Sequence, residues 1–247
     1  VYKRQDSDVL VAVSDSTLHD IDNYVGSRQQ GKKKYTIYHG GIVSGDISPC
    51  NNVEISEKLG HTLGNRFVLF TGTIEPRKDV RTLIEAAPLL KDTAVVVVCG
   101  KLGWETDEVK KQLENTENLV YLGYVSLAER QWLMSHAFCQ IQPSLYEGFG
   151  LPVVECIQDG GICLVADNSS LREIIQLEDL RFKTGDSREL VQKLKVLIGD
   201  KWRHEFARQY CQRGAKDFSW EKTAQKYLSI FQSGRLSADS IVEGGNA

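Results

Sequence analysis

The sequence comprises 247 residues with a formal net charge of −3 at pH 7, so it is long enough for one large domain or one and a half. An apolar fraction of 41% and a charged fraction of 26% are ordinary for a soluble globular protein. The slight negative charge argues against nucleic acid binding driven by overall charge, and no apolar run reaches the roughly 18 residues that a membrane helix needs.

The six cysteines are widely spaced and form no Cys-x-x-Cys pair, which disfavours a disulfide framework or a zinc site. Several lie in apolar, strand-like runs, where a cysteine acts as a small buried hydrophobic residue. The Asp-x-Asp string at 6–8 lies away from every motif below, and no signal peptide is evident. These features predict a cytoplasmic protein with no bound metal or cofactor.

The chain opens almost directly on an apolar strand predicted at 8–14. A complete domain rarely begins so close to a buried strand, so we predict a chain truncated at its N-terminus and leave open whether residues 1–5 are native. Residues 14–17 offer N-cap candidates for a helix that ends near Val25. The sequence then predicts a polar loop at 26–34, a strand at 35–39 and an irregular connector at 46–65. The position of His39 at the end of a strand favours a structural role for this residue.

From residue 66 onward, apolar runs and helical patterns alternate. Strands are predicted at 66–70, 93–99, 119–122, 137–141, 161–166 and 180–182, and helices at 80–90, 105–114, 126–135 and 168–175, with three more closing the chain. Strict alternation predicts an α/β fold, a Rossmann-like doubly wound parallel sheet that binds ligands at the carboxyl ends of its strands. The Ser- and Gly-rich tail at 233–247 is predicted to be flexible.

The central motif lies at 143–155, between a predicted strand and a predicted helix. Gly148 and Gly150 permit a close approach of the backbone to a ligand, and Pro152 suits the first turn of a helix. The amides of Phe149, Gly150 and Leu151 would point at the site, with the positive end of the helix behind them. This arrangement favours a phosphate group.

Two glutamates flank this motif. Glu155 lies about one turn into the helix, where its side chain can reach back over the site and accept hydrogen bonds from vicinal hydroxyls, as on a ribose. The structural alternative is that Glu155 complements the helix dipole and that Glu147 is a solvated loop residue. A second candidate site joins Gly72, at a strand end, to Arg77 and Lys78, two cations that can neutralise a diphosphate.

Glu147 and Glu155, with seven residues between them that include Gly-Phe-Gly-Leu-Pro, resemble the signature of the retaining glycosyltransferases of family 4 (glycosyl transferases group 1), which have the GT-B fold. The resemblance implies that Glu147 contacts the donor sugar and Glu155 the nucleotide ribose. It implies that the amides from Gly148 to Leu151 hold the diphosphate and the sugar.

Two further segments match the family pattern. Lys78 matches the basic residue of the phosphate-binding loop; the family often has an arginine directly after the glycine, where this chain has Thr73, and Arg77 would substitute for it. Tyr124 and Val125 match a strand end whose backbone faces the nucleotide base, although Tyr124 is equally consistent with packing.

The resemblance divides the chain into four parts. Residues 1–45 would be the remnant of an N-terminal, acceptor-side domain, 46–65 a linker, 66–232 the nucleotide-sugar donor-binding domain and 233–247 the tail. Phe218 and Trp220 would face the missing domain and be exposed in its absence. The complete enzyme would be a hexosyltransferase, mannosyltransferase-like, using a UDP- or GDP-linked sugar and a sugar, glycan or lipid-linked acceptor; its peripheral membrane association is left open.

Other functions are compatible with parts of this pattern. The chain alone could be an inactive nucleotide-sugar binding module, because the cleft needs both domains, or part of a GT-B sugar epimerase. A carboxylate pair also suits a glycosidase, but a glycine-rich turn suited to phosphate does not favour one. A dinucleotide-binding domain is disfavoured because no Gly-x-Gly-x-x-Gly follows the first strand of the repeat.

Overall fold

Parallel strands in two sheets organise the protein. The computed structural model describes residues 8–25, 31–42, 59 and 66–242. The strands are β1 (Val9–Ala12), β2 (Lys33–Thr36), β3 (Phe67–Thr71), β4 (Val95–Cys99), β5 (Leu119–Tyr121), β6 (Cys139–Gln142), β7 (Cys163–Ala166) and β8 (Arg181–Phe182). The first two pair with each other, and the other six form one sheet in the order β5-β4-β3-β6-β7-β8. The strand order therefore reverses between β3 and β6, which is where such sheets bind ligands.

Helices alternate with these strands. They are α1 (Asp15–Val25), α2 (Val80–Ala86), α3 (Asp107–Asn115), α4 (Leu127–His136), α5 (Leu151–Gln158), α6 (Ser169–Ile174), α7 (Ser187–Gly199), α8 (Lys201–Ala215) and α9 (Trp220–Val242), with 3-10 turns at Pro76–Lys78, Pro88–Leu90 and Glu178–Leu180. Ser126 and Glu129 form a capping box at the start of α4. Asp186 and Asp200 cap α7 and α8.

The predicted α/β class and the doubly wound parallel sheet are confirmed. Every residue of β3, β6 and β7 is buried, as is typical of strands covered by helices on both faces. The predicted division near 46–65 stays a prediction, because residues 43–58 and 60–65 lie outside the described part of the chain.

Three predicted segments differ from the structure. The strand predicted at 35–39 is instead Lys33–Thr36, because its partner β1 ends at Ala12, which pairs with Thr36. The helix predicted at 80–90 ends at Ala86, and a 3-10 turn begins at Pro88, which has no N–H to continue the helix. The predicted flexible tail is helical up to Val242, where α9 ends.

An aromatic cluster joins the first described segment to the main sheet. Tyr38 stacks on Phe149, with ring centroids 6.0 Å apart, and both contact Phe218 edge to face. His39 stacks on Trp220 at 5.2 Å. Phe218 and Trp220 are both predicted to be exposed. The prediction is wrong for Phe218, which is 7% exposed, and holds for Trp220, which is 53% exposed. Phe218 is buried because residues 31–42 cover it.

The described cysteines are Cys99, Cys139, Cys156, Cys163 and Cys211; all are free and buried, as predicted, whereas Cys50 lies outside the described residues. Among the described helices, none combines the length and apolar character needed to cross a lipid bilayer.

Candidate functional site

The loop between β6 and α5 forms the centre of the site. Gly150 is the N-cap of α5 and has φ +105°, a left-handed conformation that favours glycine. Pro152 lies in the first turn, as predicted. Within the ranges that the structure describes, the amides of Gly148, Phe149, Gly150 and Leu151 have no hydrogen-bond acceptor. Four donors at the positive end of a helix can therefore bind an anion.

Arg77 and Lys78 approach this loop from the end of β3. They lie in the Pro76–Lys78 turn, which the sequence predicts only as a charged loop. Lys78 Nζ lies 2.6 Å from Glu147 Oε1, and Arg77 Nη1 lies 2.8 Å from Glu147 Oε2. The two candidate sites of the sequence are thus one cluster, on the two strands where the sheet order reverses.

Four donors surround the Glu147 carboxylate. Besides the two cations, Ser144 Oγ and Gln142 Nε2 donate to Oε1 over 2.8 and 3.1 Å. Burial raises the pKa of Glu147, but the charge of Lys78 and hydrogen bonds from Lys78, Ser144 and Arg77 outweigh it, so the pKa lies below its ordinary value. Glu147 is therefore ionised and fixed in place.

This pairing predicts an acid sensitivity. Because the pKa of Glu147 is below 4.5 in the folded protein, the stabilisation is complete above that pH and is lost as the pH falls through the folded pKa. Urea unfolding from pH 7 to about pH 3 should show a smaller loss of stability in Glu147→Gln than in the natural protein. Glu117→Gln, which changes an exposed carboxylate, serves as the control. Equal acid losses in the natural protein and Glu147→Gln would contradict the assignment.

Three glycines stack at the carboxyl ends of β3, β4 and β5. The Gly72 amide donates to Cys99 O over 3.1 Å, and the Gly100 amide donates to Gly123 O over 2.8 Å. A Cβ on Gly100 would lie 1.8 Å from Gly72 O, so the backbones touch here. Gly72 itself has φ +153° and room for a Cβ, which contacts only Phe70 at 3.5 Å or more.

Tyr124 and Val125 follow this glycine stack. The Tyr124 ring is 66% exposed, with Lys101 Nζ 4.7 Å from its centroid, and Val125 is buried. No contact joins them to the Glu147 cluster within the described part of the chain. The side chain of Leu151 is 41% exposed, whereas that of Phe149 is buried in the aromatic cluster.

Glu155 has a different partner from Glu147. It is 6% exposed, and Arg130 Nη1 of α4 lies 2.8 Å from its Oε2. Glu155 is thus a buried carboxylate that is paired with Arg130, and its predicted contact with a ribose stays a prediction. The sequence analysis misses Arg130, because its only local signal is a charged position in an amphipathic helix.

The sequence analysis also misses the role of the 168–170 segment. Asn168 is the N-cap of α6, but its side chain makes no capping bond; it donates to Ser144 O and Thr184 Oγ1 instead. Ser169 Oγ accepts a hydrogen bond of 2.9 Å from the Glu147 amide. Ser170 Oγ lies 2.9 Å from the carbonyl oxygen of Glu147 and 2.6 Å from that of Phe149. Asn168 therefore does not cap α6 with its side chain, and the three residues hold residues 143–150, here called the glutamate loop, in place.

Comparison with known proteins agrees with this geometry. The family model for glycosyl transferases group 1 matches residues 51–217. The O-antigen chain mannosyltransferase B of Escherichia coli is 32% identical over 174 residues, which are 67% of this chain and 45% of the relative. The serotype-specific mannosyltransferase WbdA of Escherichia coli is 27% identical over 189 residues, 71% of this chain and 23% of the relative. The chain thus spans less than half the length of either relative.

Solved structures show the same fold. Anabaena Alr3699/HepE in complex with UDP and glucose superposes with a TM-score of 0.77 at 19% identity, over 92% of this chain and 63% of that chain. A glycosyltransferase from Rickettsia africae ESF-5 superposes with a TM-score of 0.76 at 17% identity, over 90% of this chain and 62% of that chain. With the family model covering most of the sheet and both glutamates, the chain belongs to the glycosyl transferases group 1 family.

Proposed function

We propose that this chain carries the donor-binding half of a retaining family 4 hexosyltransferase, which transfers a sugar from a nucleoside diphosphate to a sugar, glycan or lipid-linked acceptor. The relatives named mannosyltransferases make mannose the first choice of sugar. UDP is bound in the Anabaena structure, so both UDP and GDP are candidate nucleotides.

The observation that carries this proposal is that two cations contact Glu147, the residue directly before four backbone amides that have no acceptor in the described part of the chain. Lys78 and Arg77 pair with Glu147, and the amides of the next four residues, Gly148 to Leu151, have no acceptor among the described residues. A diphosphate suits such a site, because its charge can be shared by the cations and the helix N-terminus. No step in this scheme uses a metal ion.

The chemistry follows from where charge develops. As the bond between the sugar and the diphosphate breaks, negative charge accumulates on the leaving diphosphate. Lys78, Arg77 and the loop amides are placed to stabilise that charge more strongly in the transition state than in the ground state. Glu147 would position the donor sugar and Glu155 the ribose, while Tyr124 and Val125 would lie beside the base.

The geometry also bears on the alternatives. A glycosidase needs one carboxyl group that gives up a proton and one that attacks or activates water. Glu147 is ionised and so has no proton to give up, and its two oxygens already accept from four donors, which disfavours attack on a sugar or on water. A sugar epimerase and a binding module inactive alone would both use this donor site, so product analysis is needed to separate them from a transferase.

Calorimetric titration with UDP, GDP and ADP tests the site. One nucleotide should bind selectively, and Glu155→Gln should weaken it by about tenfold or more, because hydrogen bonds to a charged carboxylate are worth about 1.5–3 kcal/mol each. Glu117→Gln should leave the affinity unchanged. Equal binding of all three nucleotides would contradict a base-selective donor site, and no effect of Glu155→Gln would contradict the proposed ribose contact.

Product analysis tests the reaction. This chain alone should transfer no sugar, and a longer protein that includes an acceptor-side domain should transfer it with the anomeric configuration retained. Nuclear magnetic resonance of the product distinguishes retention from inversion, and epimerised donor without transfer would favour the epimerase.

A further inference from the structure

Three consecutive carbonyl groups of the glutamate loop are held by hydroxyl groups from outside the loop. Gly148 O lies 2.6 Å from Ser14 Oγ and 3.0 Å from Thr17 Oγ1. The carbonyl oxygens on either side, of Glu147 and Phe149, lie 2.9 and 2.6 Å from Ser170 Oγ. Ser14 and Ser170 are completely buried, so water does not compete for these contacts.

The hydroxyl groups restrain the orientation of three peptide planes, with the single proton of Ser170 Oγ shared between Glu147 O and Phe149 O. In a planar trans peptide, the C=O of one residue and the N–H of the next point in opposite directions. Holding the carbonyls of residues 147, 148 and 149 therefore turns the amides of Gly148, Phe149 and Gly150 the other way. These amides are among those without an acceptor in the described ranges.

Ser14 and Thr17 come from a different part of the chain from the loop that they hold. They lie at the start of α1. The Glu173 carboxylate of α6 accepts hydrogen bonds from the amides of Asp15 and Ser16, over 2.9 and 2.7 Å, and so holds α1 against α6. Ser14 Oγ accepts from the Thr17 amide over 3.0 Å, and its single proton has two acceptors, Gly148 O at 2.6 Å and Thr17 Oγ1 at 2.9 Å. The first segment is thus rigidly placed against the loop.

We propose that Ser14, Thr17 and Ser170 are positioning residues, which aim the amides of Gly148, Phe149 and Gly150 at the diphosphate of the donor. This inference rests on the proposed function for the identity of the ligand. It makes diphosphate binding depend on the first segment of the chain, across the predicted boundary between the two domains.

Binding of inorganic pyrophosphate and of the matching nucleoside tests this role. In Ser14→Ala/Thr17→Val, the Kd of pyrophosphate should rise about tenfold and the Kd of the nucleoside should stay within twofold, because the lost contacts orient only the phosphate-facing amides. Each single variant should have a smaller effect, since either hydroxyl can still donate to Gly148 O. Ser16→Ala is the matched control in the same turn and should leave the pyrophosphate Kd unchanged. Ser14→Ala/Thr17→Ser, which keeps one hydroxyl group near Gly148 O, should have most of the affinity that Ser14→Ala/Thr17→Val loses. An unchanged pyrophosphate Kd in the double variant, or an equal rise for the nucleoside, would overturn the proposal.

A measurement without ligand separates this proposal from the proposed function. The ¹⁵N order parameters of Gly148, Phe149 and Gly150 should fall from about 0.85 toward 0.6 in the double variant and in Ser170→Ala. If the natural protein binds neither nucleotide nor pyrophosphate, the proposed function fails. Unchanged order parameters in the double variant would overturn the positioning role whether or not a ligand binds. Circular dichroism checks that each variant is folded.

Discussion

Replacing Gly100 by alanine is expected to destabilise the protein by about 3–5 kcal/mol, the largest effect of any substitution considered for the sheet. The added Cβ would lie 1.8 Å from Gly72 O, a backbone atom that cannot rotate away. Gly100 also has φ +150°, which an alanine side chain rarely adopts. Relief requires the β3 and β4 strand ends to separate, which moves the Gly72 loop as well. Urea unfolding gives the free energy directly.

Gly199→Ala is the matched control for this substitution. Gly199 is the last residue of α7, and a Cβ there meets nothing within 4 Å. Alanine there should change stability by less than about 1 kcal/mol, in the stabilising direction, because it restricts the unfolded chain. A loss below about 1 kcal/mol in Gly100→Ala would show that the two strand ends are not in backbone contact.

Lys78→Met is expected to weaken nucleoside diphosphate binding on the order of 100-fold while leaving nucleoside binding nearly unchanged. The variant removes a charged donor worth about 1.5–3 kcal/mol and leaves the Glu147 carboxylate to repel the phosphate. It should also lower the free energy of unfolding by about 2–3 kcal/mol, because a buried carboxylate loses one of its two cations. Calorimetry and urea unfolding measure the two effects separately.

Glu147→Gln in the Lys78→Met background distinguishes binding from stability. Removing this carboxylate should restore part of the unfolding free energy, since the buried charge that lost one of its two cations is gone and Arg77 keeps its ion pair with Glu75. Diphosphate affinity should stay low, because the cation is still missing. If affinity recovers together with stability, Lys78 acts only through the structure of the loop.

The sequence predicts those parts of the fold whose signals are local. The valine-rich run at β4 and the capping box of α4 each determine their element from a few neighbouring residues. The glycines and Pro152 of the glutamate motif likewise indicate a strand–loop–helix turn. The parallel sheet then follows from the alternation of strands and helices, which is why Lys78 and Glu147, far apart in sequence, are both predicted beyond the carboxyl ends of strands.

What the sequence leaves unpredicted depends on contacts between distant residues. Nothing near Arg130 indicates that it pairs with Glu155, and nothing near Ser14 indicates that it holds Gly148 O. Ser170 presents the same difficulty: a serine after Asn168 reads locally as helix-cap chemistry, whereas in the fold its hydroxyl faces a loop more than 20 residues earlier. Such roles become visible only when the strands are assembled.

The aromatic cluster places a constraint on chimaeric enzymes built from this family. If the predicted linker at 46–65 served as the exchange point, a foreign N-terminal part would be joined to residues 66–242 of this chain. That junction would separate Tyr38 and His39 from Phe149, Phe218 and Trp220, and would also remove the Tyr38 carbonyl that accepts from Thr223 Oγ1 over 2.8 Å. A chimaera must therefore retain Tyr38 and His39 together with the start of α9. The part of the protein that can be exchanged as a unit is thus not one continuous stretch of sequence.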